Sequence, residues 1–433
     1  MRSHRSFSTP SHLAYKNALL EWSKSYDKIV WLDSNEHVNK YTSFDAILAI
    51  DGQTDKSKKC FKNTDEVIDF IDNENDWLFG YLSYDLKNEW EDLVSKNYDG
   101  LDFPEIHFFQ PDKIITVKEK KITFLYLDSI SDEIEKDYKE ILEIVQSKEK
   151  KNTHFQSIRI KLRIHKDAYF EKIKRMLWHI HRGDIYEANF CQEFYSENTN
   201  IDPWETYRHL NMISTPPFAT FLRLEDKYLL CASPERYLKK IDQMVVSQPI
   251  KGTSARGENE KEDEEFKIAL QNDAKERAEN IMITDLVRND LSKSALKGSV
   301  TVEELCKVYT FEQVHQMIST VVSKVPKGKN PFELIKETFP MGSMTGAPKI
   351  SAMKIIEELE ETKRGLYSGA VGYFDPKGNF DFNVVIRSIL YNASRKYVSF
   401  SVGSAITAKS DTEKEYQECL LKAKAMRSVL EQR

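Results

Sequence analysis

The chain has 433 residues, of which 40% are hydrophobic and 30% charged, with a net charge of −6. That is the composition of a soluble globular protein with room for one large domain or two to three ordinary ones, and its acidic balance gives no reason to expect a nucleic-acid partner. No apolar run of 18 residues exists to span a membrane. The basic start MRSHRSFSTPSH lacks the apolar stretch a secretory signal needs. The cysteines (Cys60, Cys191, Cys231, Cys306, Cys419) are odd in number and widely spaced, without a CxxC pair. They point to a reducing cytoplasm rather than a disulfide frame or a zinc site.

In chain order, KIVWLDS, WLFGYLSYDL, IHFFQ and KITFLYL read as strands bounded by Asp, Asn, Gly and Pro. Residues 131–150 carry helical periodicity. The polar SKEKKNTHFQS that follows is the best boundary, dividing a β-rich part, 1–150, from a second part, 151–433. Beyond it, residues 167–182 form an amphipathic helix, and ATFLRL, KYLLCAS and QMVVSQPI form consecutive strands. A long helix is expected over about 260–289, with Phe266, Leu270, Ala274, Ala278 and Met282 facing the core. The segment SGAVGYFDPKGNFDFNVVIRSILYNASRKYVSFSVGSAI gives three strands, and a helix from about 411 to 430 closes the chain. Antiparallel runs of strands with helices between them make the class α+β.

Three places carry candidate chemistry. In SQPIKGTSARG, Lys251 sits between Pro249 and Gly252, either as a surface lysine at a bend or as an amine aimed at a substrate. Glu279 lies beside the apolar stripe of the long helix and needs a partner, which Lys275 supplies at i−4. On the last helix Ser410 and Glu413 form a capping box. Glu415, Glu418 and Lys422 share one inward face there, with a Glu418–Lys422 pair as the plain reading. A hard dication such as Mg²⁺, which takes oxygen ligands and only one or two protein carboxylates, would suit Glu279 and Glu418 with Glu415 behind a water. MGSMTGAPK lacks the spacing of a phosphate-binding loop.

Taken together, HRGDIYEANFCQ, PPFATFLRL, ASPERY, PIKGT, DAKERAENIMITDLVRNDL, GSMTGAPK, YSGAVGY, VVIRS and EYQECLLKAKA resemble the chorismate-utilising enzymes, densely over about 165–430. The resemblance implies one large α+β unit of two face-packed antiparallel sheets surrounded by helices, with chorismate held over Mg²⁺. Residue by residue, it implies that Glu279 and Glu418 hold the metal, with Glu415 behind them. Gln192, Gly252, Thr253, Thr345, Tyr367, Arg387, Gly403 and Lys422 would contact substrate, and Glu235 would be the general acid. Lys251 occupies the position that carries lysine in the aminodeoxychorismate synthases and alanine in the anthranilate-forming relatives. Gln192 is matched to the lysine base of water-adding isochorismate synthases, a role a neutral amide does not fill. At the family's usual histidine the chain has Gln316, with His315 one position away, and the usual GGGI loop reads VGSAI.

The implied reaction is amination of chorismate to 4-amino-4-deoxychorismate through a Lys251 adduct. The rivals are an anthranilate synthase component I and a non-catalytic chorismate-binding protein. A free lysine, with a pKa of about 10.4, is neutral in only about one molecule in 2,500 at pH 7. Burial, Mg²⁺ and Arg256 are expected to lower that pKa. No cysteine lies in the GxCxG setting of a class I glutaminase, so ammonia is expected either free or from a separate glutaminase subunit.

Overall fold

The computed structural model describes residues 1–9, 12–37, 40–52, 60–147, 157–312 and 314–432, so most of the SKEKKNTHFQS boundary lies outside the described residues. The short apolar runs pair into two antiparallel sheets, of 12 and 10 strands among the described residues. Both sheets draw strands from the two ends of the sequence. In the first, Lys28–Asp33 pairs with Phe218–Leu224. In the second, Leu78–Leu82 pairs with Ala370–Phe374.

Alternation along each strand sends one set of side chains between the sheets and the other outward. Val30, Ile47, Leu222 and Leu229 from the first sheet meet Phe79, Tyr81, Val371 and Tyr373 from the second in one shared core. The outer face of the first sheet is covered by helices that include Ile134–Gln146, Pro203–Ser214 and Thr412–Glu431. The second is covered by Thr64–Asn73, Ala274–Ser292 and Pro331–Thr338. The fold is therefore α+β, two face-packed antiparallel sheets sheathed in helices. Among the described residues no helix is long and apolar enough to cross a membrane.

Three elements depart from the sequence reading, and each departure bears on the site. The long helix is two helices, Glu260–Asn272 and Ala274–Ser292, broken at Asp273. Asp273 leaves helical geometry and its carboxylate caps the second helix, accepting from the amides of Lys275 and Glu276 at 2.8 and 2.9 Å. The break rephases the helix. Ala274 and Ala278 become exposed, while Asn280, Ile283, Thr284 and Val287 turn inward. The last helix is capped by Asp411 rather than by a Ser410–Glu413 box, and Asp411 accepts from the amide of Lys414. Ser410 instead accepts from the amide of Thr407 at 3.1 Å.

The third departure is the segment expected to hold three strands, which forms four. The run NVVIRSIL divides between Phe380–Val384 in the second sheet and Ser388–Asn392 in the first. The chain changes sheets at Arg387, which has a positive φ of 53°. A non-glycine residue in that region needs a surrounding structure that over-determines it.

A buried ion pair braces the centre. Arg364 and Glu360 are 4% and 6% exposed and joined at 2.6 and 2.9 Å. Arg364 also donates to the carbonyls of Met344 and Asn189, and Glu360 accepts from the amide of Cys191. One pair thus ties the Glu187–Ser196 strand to the turn holding Ser343 and Thr345. Removing one member leaves an uncompensated buried charge, which costs about 3–5 kcal/mol. Glu360→Ala is expected to lower the urea midpoint by that equivalent; a midpoint equal to the parent's would show that the brace carries no such load.

Candidate active site

Lys251 lies in the strand Ile250–Ala255, which pairs with Val314–Lys324. Ile250 faces Ile318 and Thr253 faces Gln316, so three steps on one strand oppose two on the other. This is a β-bulge, a device that re-aims a side chain. Gly252 takes up the strain with a φ of +96°. The bulge is fastened to the helix behind it. Asn280, 1% exposed, donates from Nδ2 to the carbonyls of Lys251 and Met317 at 3.2 and 3.1 Å. Its Oδ1 accepts from the Ser319 hydroxyl. Asn280 follows Glu279 in the chain, so a single side chain sets the lysine strand against the helix that bears that carboxylate.

Lys251 turns inward, its side chain 14% exposed, and its ammonium lies 3.2 Å from Oε1 of Glu187, which is 2% exposed. Glu187 starts the Glu187–Ser196 strand, paired with Ala347 on one side and Thr407 on the other. Its other oxygen, Oε2, is buried with no hydrogen-bond partner among the described residues. Burial pushes the Lys251 pKa down, but the carboxylates of Glu187, Glu279 and Glu235 outweigh it, and the ammonium is held above its ordinary range. These carboxylates reverse the depression that burial alone would give. Arg256 does not contribute, because its guanidinium is paired with Asp263 at 2.7 and 3.0 Å.

Glu235 is 4% exposed and accepts from the Ser343 hydroxyl at 2.7 Å. Burial pushes its pKa up to about 7, with Ser343 and Lys251 opposing. It is thus a carboxyl able to hold a proton near neutrality. Glu279 is also raised to about 7, first by burial, with Lys251 and Lys275 pulling the other way. Its Oε1 is buried without a hydrogen-bond partner among the described residues and lies 3.7 Å from the Lys275 ammonium. The expected Lys275 pairing is therefore present, though too long for a hydrogen bond.

The C-terminal helix supplies the opposite wall. Glu418 is gripped by Lys422 at 2.6 Å, and Lys422 also donates to the carbonyl of Gly403 at 3.0 Å. Glu415 is 3% exposed and accepts from the Ser404 hydroxyl. Burial raises the Glu418 pKa, but Lys422, Lys251 and Lys275 prevail and hold it below the usual range. Lys275 in turn feels Glu279, Glu415, Glu276 and Glu418, so the two carboxylate-bearing helices converge on it.

Arg387 and Tyr367 lie where the sheets exchange strands. Half-buried Arg387 has no side-chain hydrogen bond or ion pair among the described residues, and its electrostatic neighbours are Tyr367 and Glu418. An unpartnered guanidinium in such a place suits a carboxylate ligand. The Tyr367 hydroxyl is 3.9 Å from Cys191 Sγ. Gly403 faces Cys191 across the ladder, and a Cβ there would stand 2.6 Å from its sulfur.

Other expected residues lie elsewhere. Gln192 is turned by strand alternation to the face opposite Glu187 and Cys191, donating to Cys419 Sγ of the C-terminal helix at 3.1 Å. It is Glu187, not Gln192, that stands beside Lys251. The Thr253 side chain is exposed. Thr345, fully buried, spends its hydroxyl on the carbonyls of Met341 and Gly342. His315, also fully buried, is clamped between Thr310 and Asp263. The sequence reading missed Glu187, Asn280 and Ser343. The signal for Glu187 was an ionisable side chain within the strand-like run IYEANFCQ, since a carboxylate buried there needs a partner.

The chorismate binding enzyme family model matches residues 27–428. Aminodeoxychorismate synthase component 1 of Escherichia coli (strain K12) is 39% identical over 266 residues, covering 61% of this chain and 58% of the relative. The chain thus spans a little over half the length of that relative. An anthranilate synthase component I-like protein of Synechocystis sp. is 33% identical over 82% of this chain and 72% of its own. Anthranilate synthase component 1 of Acetivibrio thermocellus is 31% identical over 83% and 76%. The crystal structure of anthranilate synthase component I from Streptococcus pneumoniae TIGR4 superposes with a TM-score of 0.76 at 25% identity, covering 90% of this chain and 94% of that one. The chain belongs to the chorismate-binding enzymes.

Proposed function

We propose that the protein is the chorismate-aminating component of an aminodeoxychorismate synthase, converting chorismate and ammonia to 4-amino-4-deoxychorismate. The observation that carries this reading is Lys251, an amine directed by a bulge into a buried, carboxylate-lined site next to an acid, Glu235, that holds its proton near neutrality. Relatives named for this activity and relatives named anthranilate synthase match at comparable identity. The lysine is what favours amination at C4.

Arg387, with Tyr367 beside it, receives a carboxylate of chorismate, and Lys422 shifts from Glu418 to a second one near the Gly403 backbone. Lys251 Nζ then bonds to C2, the ring double bonds shift, and the C4–O bond breaks. Glu235 gives its proton to the departing oxygen, which leaves as water. Ammonia bonds to C4 and the C2–N bond breaks, returning its electrons to the lysine. Two such displacements replace one difficult direct substitution.

The donor set also fits Mg²⁺. Glu279 has a buried oxygen with no hydrogen-bond partner among the described residues, and Glu418 faces it across Lys275, all-oxygen chemistry suited to a hard dication. Among the described residues no three His, Cys, Asp or Glu side chains form a metal cluster, so the ion would be held by Glu279 and Glu418, with Glu415, already engaged by Ser404, set behind them. Bound, it would neutralise the substrate dianion. Ammonia would come from a separate class I glutaminase subunit. Cys191, Cys231, Cys306 and Cys419 are all buried, and burial raises each thiol pKa, so none is a reactive thiolate that could release ammonia from glutamine.

Incubation with chorismate, Mg²⁺ and ammonium is expected to yield a non-aromatic amine that becomes 4-aminobenzoate only after a lyase is added; fluorescent anthranilate in the first step would identify the alternative activity. Glu279→Gln is expected to abolish Mg²⁺-dependent turnover, and an unchanged metal titration would remove it as a ligand. Glu235 acts protonated, so kcat/KM should fall as pH rises through about 7. Glu235→Gln should reduce kcat by about 10²–10⁴-fold and lose that limb. A variant retaining both parent rate and limb would exclude Glu235 as the acid.

A further inference from the structure

The amination reading leaves one proton unaccounted for, and the inference here rests on that reading. Lys251 must lose a proton before its lone pair can bond to carbon, yet its carboxylate neighbours favour the ammonium. The carboxylate against it is Glu187, 3.2 Å away and 2% exposed, and among the described residues Lys251 pairs with Glu187 alone. The backbone of Glu187 is fixed from two sides by Ala347 and Thr407. Its Oε2, buried and without a hydrogen-bond partner among the described residues, is an open acceptor. The other charges facing the pair are Glu276, Glu279 and Lys275 on the Ala274–Ser292 helix, Glu235 beyond the Lys227–Ser233 strand, and Glu418 on the C-terminal helix.

We propose that Glu187 is a catalytic base dedicated to the lysine nucleophile. It takes a proton from Lys251 Nζ as the C2–N bond forms and returns it when the amine departs. The exchange balances. One N–H bond breaks, the nitrogen lone pair makes the C–N bond, and the proton passes to a Glu187 oxygen. The adduct nitrogen is left as a secondary ammonium. When ammonia bonds to C4 and the C2–N bond breaks, the nitrogen leaves as a neutral amine and recovers its proton from the Glu187 carboxyl. The lysine is thus activated without exchanging a proton with solvent, so its step does not depend on bulk pH.

Glu187→Gln keeps the volume and removes the acceptor. Trace labelling of Lys251 with acetic anhydride across pH, read by peptide mass spectrometry without chorismate, reports the proton affinity of the amine. The labelling midpoint is expected to fall by at least one pH unit in Glu187→Gln and to stay near the parent's in Glu187→Asp. In amination assays below pH 7 the parent rate should not depend on loss of the lysine proton to solvent, whereas the Glu187→Gln rate should rise tenfold per pH unit until Lys251 is neutral. An unchanged midpoint would show that the pair does not exist in solution, and a parallel pH profile would reduce Glu187 to a structural part; either overturns the proposal. A shifted midpoint in a parent that makes no aminodeoxychorismate would instead overturn the amination reading and the proton transfer with it, leaving only the ion pair.

Discussion

The site is organised around one electrostatic conflict, an ammonium buried among carboxylates. Desolvation alone would pull the Lys251 pKa down, since burial disfavours the ionised form. Glu187 in contact, with Glu279 and Glu235 close by, reverses the balance. At an effective dielectric near 20, a unit charge pair at about 4 Å is worth roughly 4 kcal/mol, comparable to the roughly 4–5 kcal/mol needed to bring a lysine from its ordinary pKa to neutrality. A change in the charge of the surrounding carboxylates therefore acts on the amine with an energy of the order that separates its charged and neutral states at neutral pH.

The frame keeps that conflict in place. Asn280 fastens the bulged strand of Lys251 to the helix of Glu279, and Asp273 sets the phase of that helix by breaking it from its predecessor. Arg364 and Glu360 tie the Glu187 strand to the turn bearing Ser343, the donor to Glu235. Arg387, at the change of sheet, has no side-chain hydrogen bond or ion pair among the described residues. Asn280, Arg364 and Glu360 are buried polar groups engaged on their structural side, whereas among the described residues Glu187 Oε2 and Glu279 Oε1 have no hydrogen-bond partner.

Much of this was legible in the sequence. Strand alternation and turn residues gave the α+β class, and the pattern around Lys251, Glu279 and Glu418, with Glu235 added by the family resemblance, singled out residues that the fold gathers. What was not legible depends on phase and long-range pairing. The stripe through Ala274 and Ala278 failed because Asp273 caps a new helix, a choice that periodicity alone does not register. Gln192 lies on the face opposite Glu187, toward Cys419, because a one-residue step along a strand exchanges faces, and that parity is not visible without the strand's pairing. The four-strand reading of 370–407 required knowing that NVVIRSIL serves two sheets. Arg256, near Lys251 in sequence, is drawn off by Asp263, a partner seven residues away whose approach depends on the loop between them.

The account is tested most directly by the mass of the protein itself. Mixed with chorismate and Mg²⁺ in the absence of ammonia, then acid-quenched, the intact chain should gain the mass of chorismate less one water, located on Lys251 by peptide mapping and missing from Lys251→Ala. An unmodified parent that nonetheless turns over when ammonium is supplied, or an adduct that persists in Lys251→Ala, would contradict it.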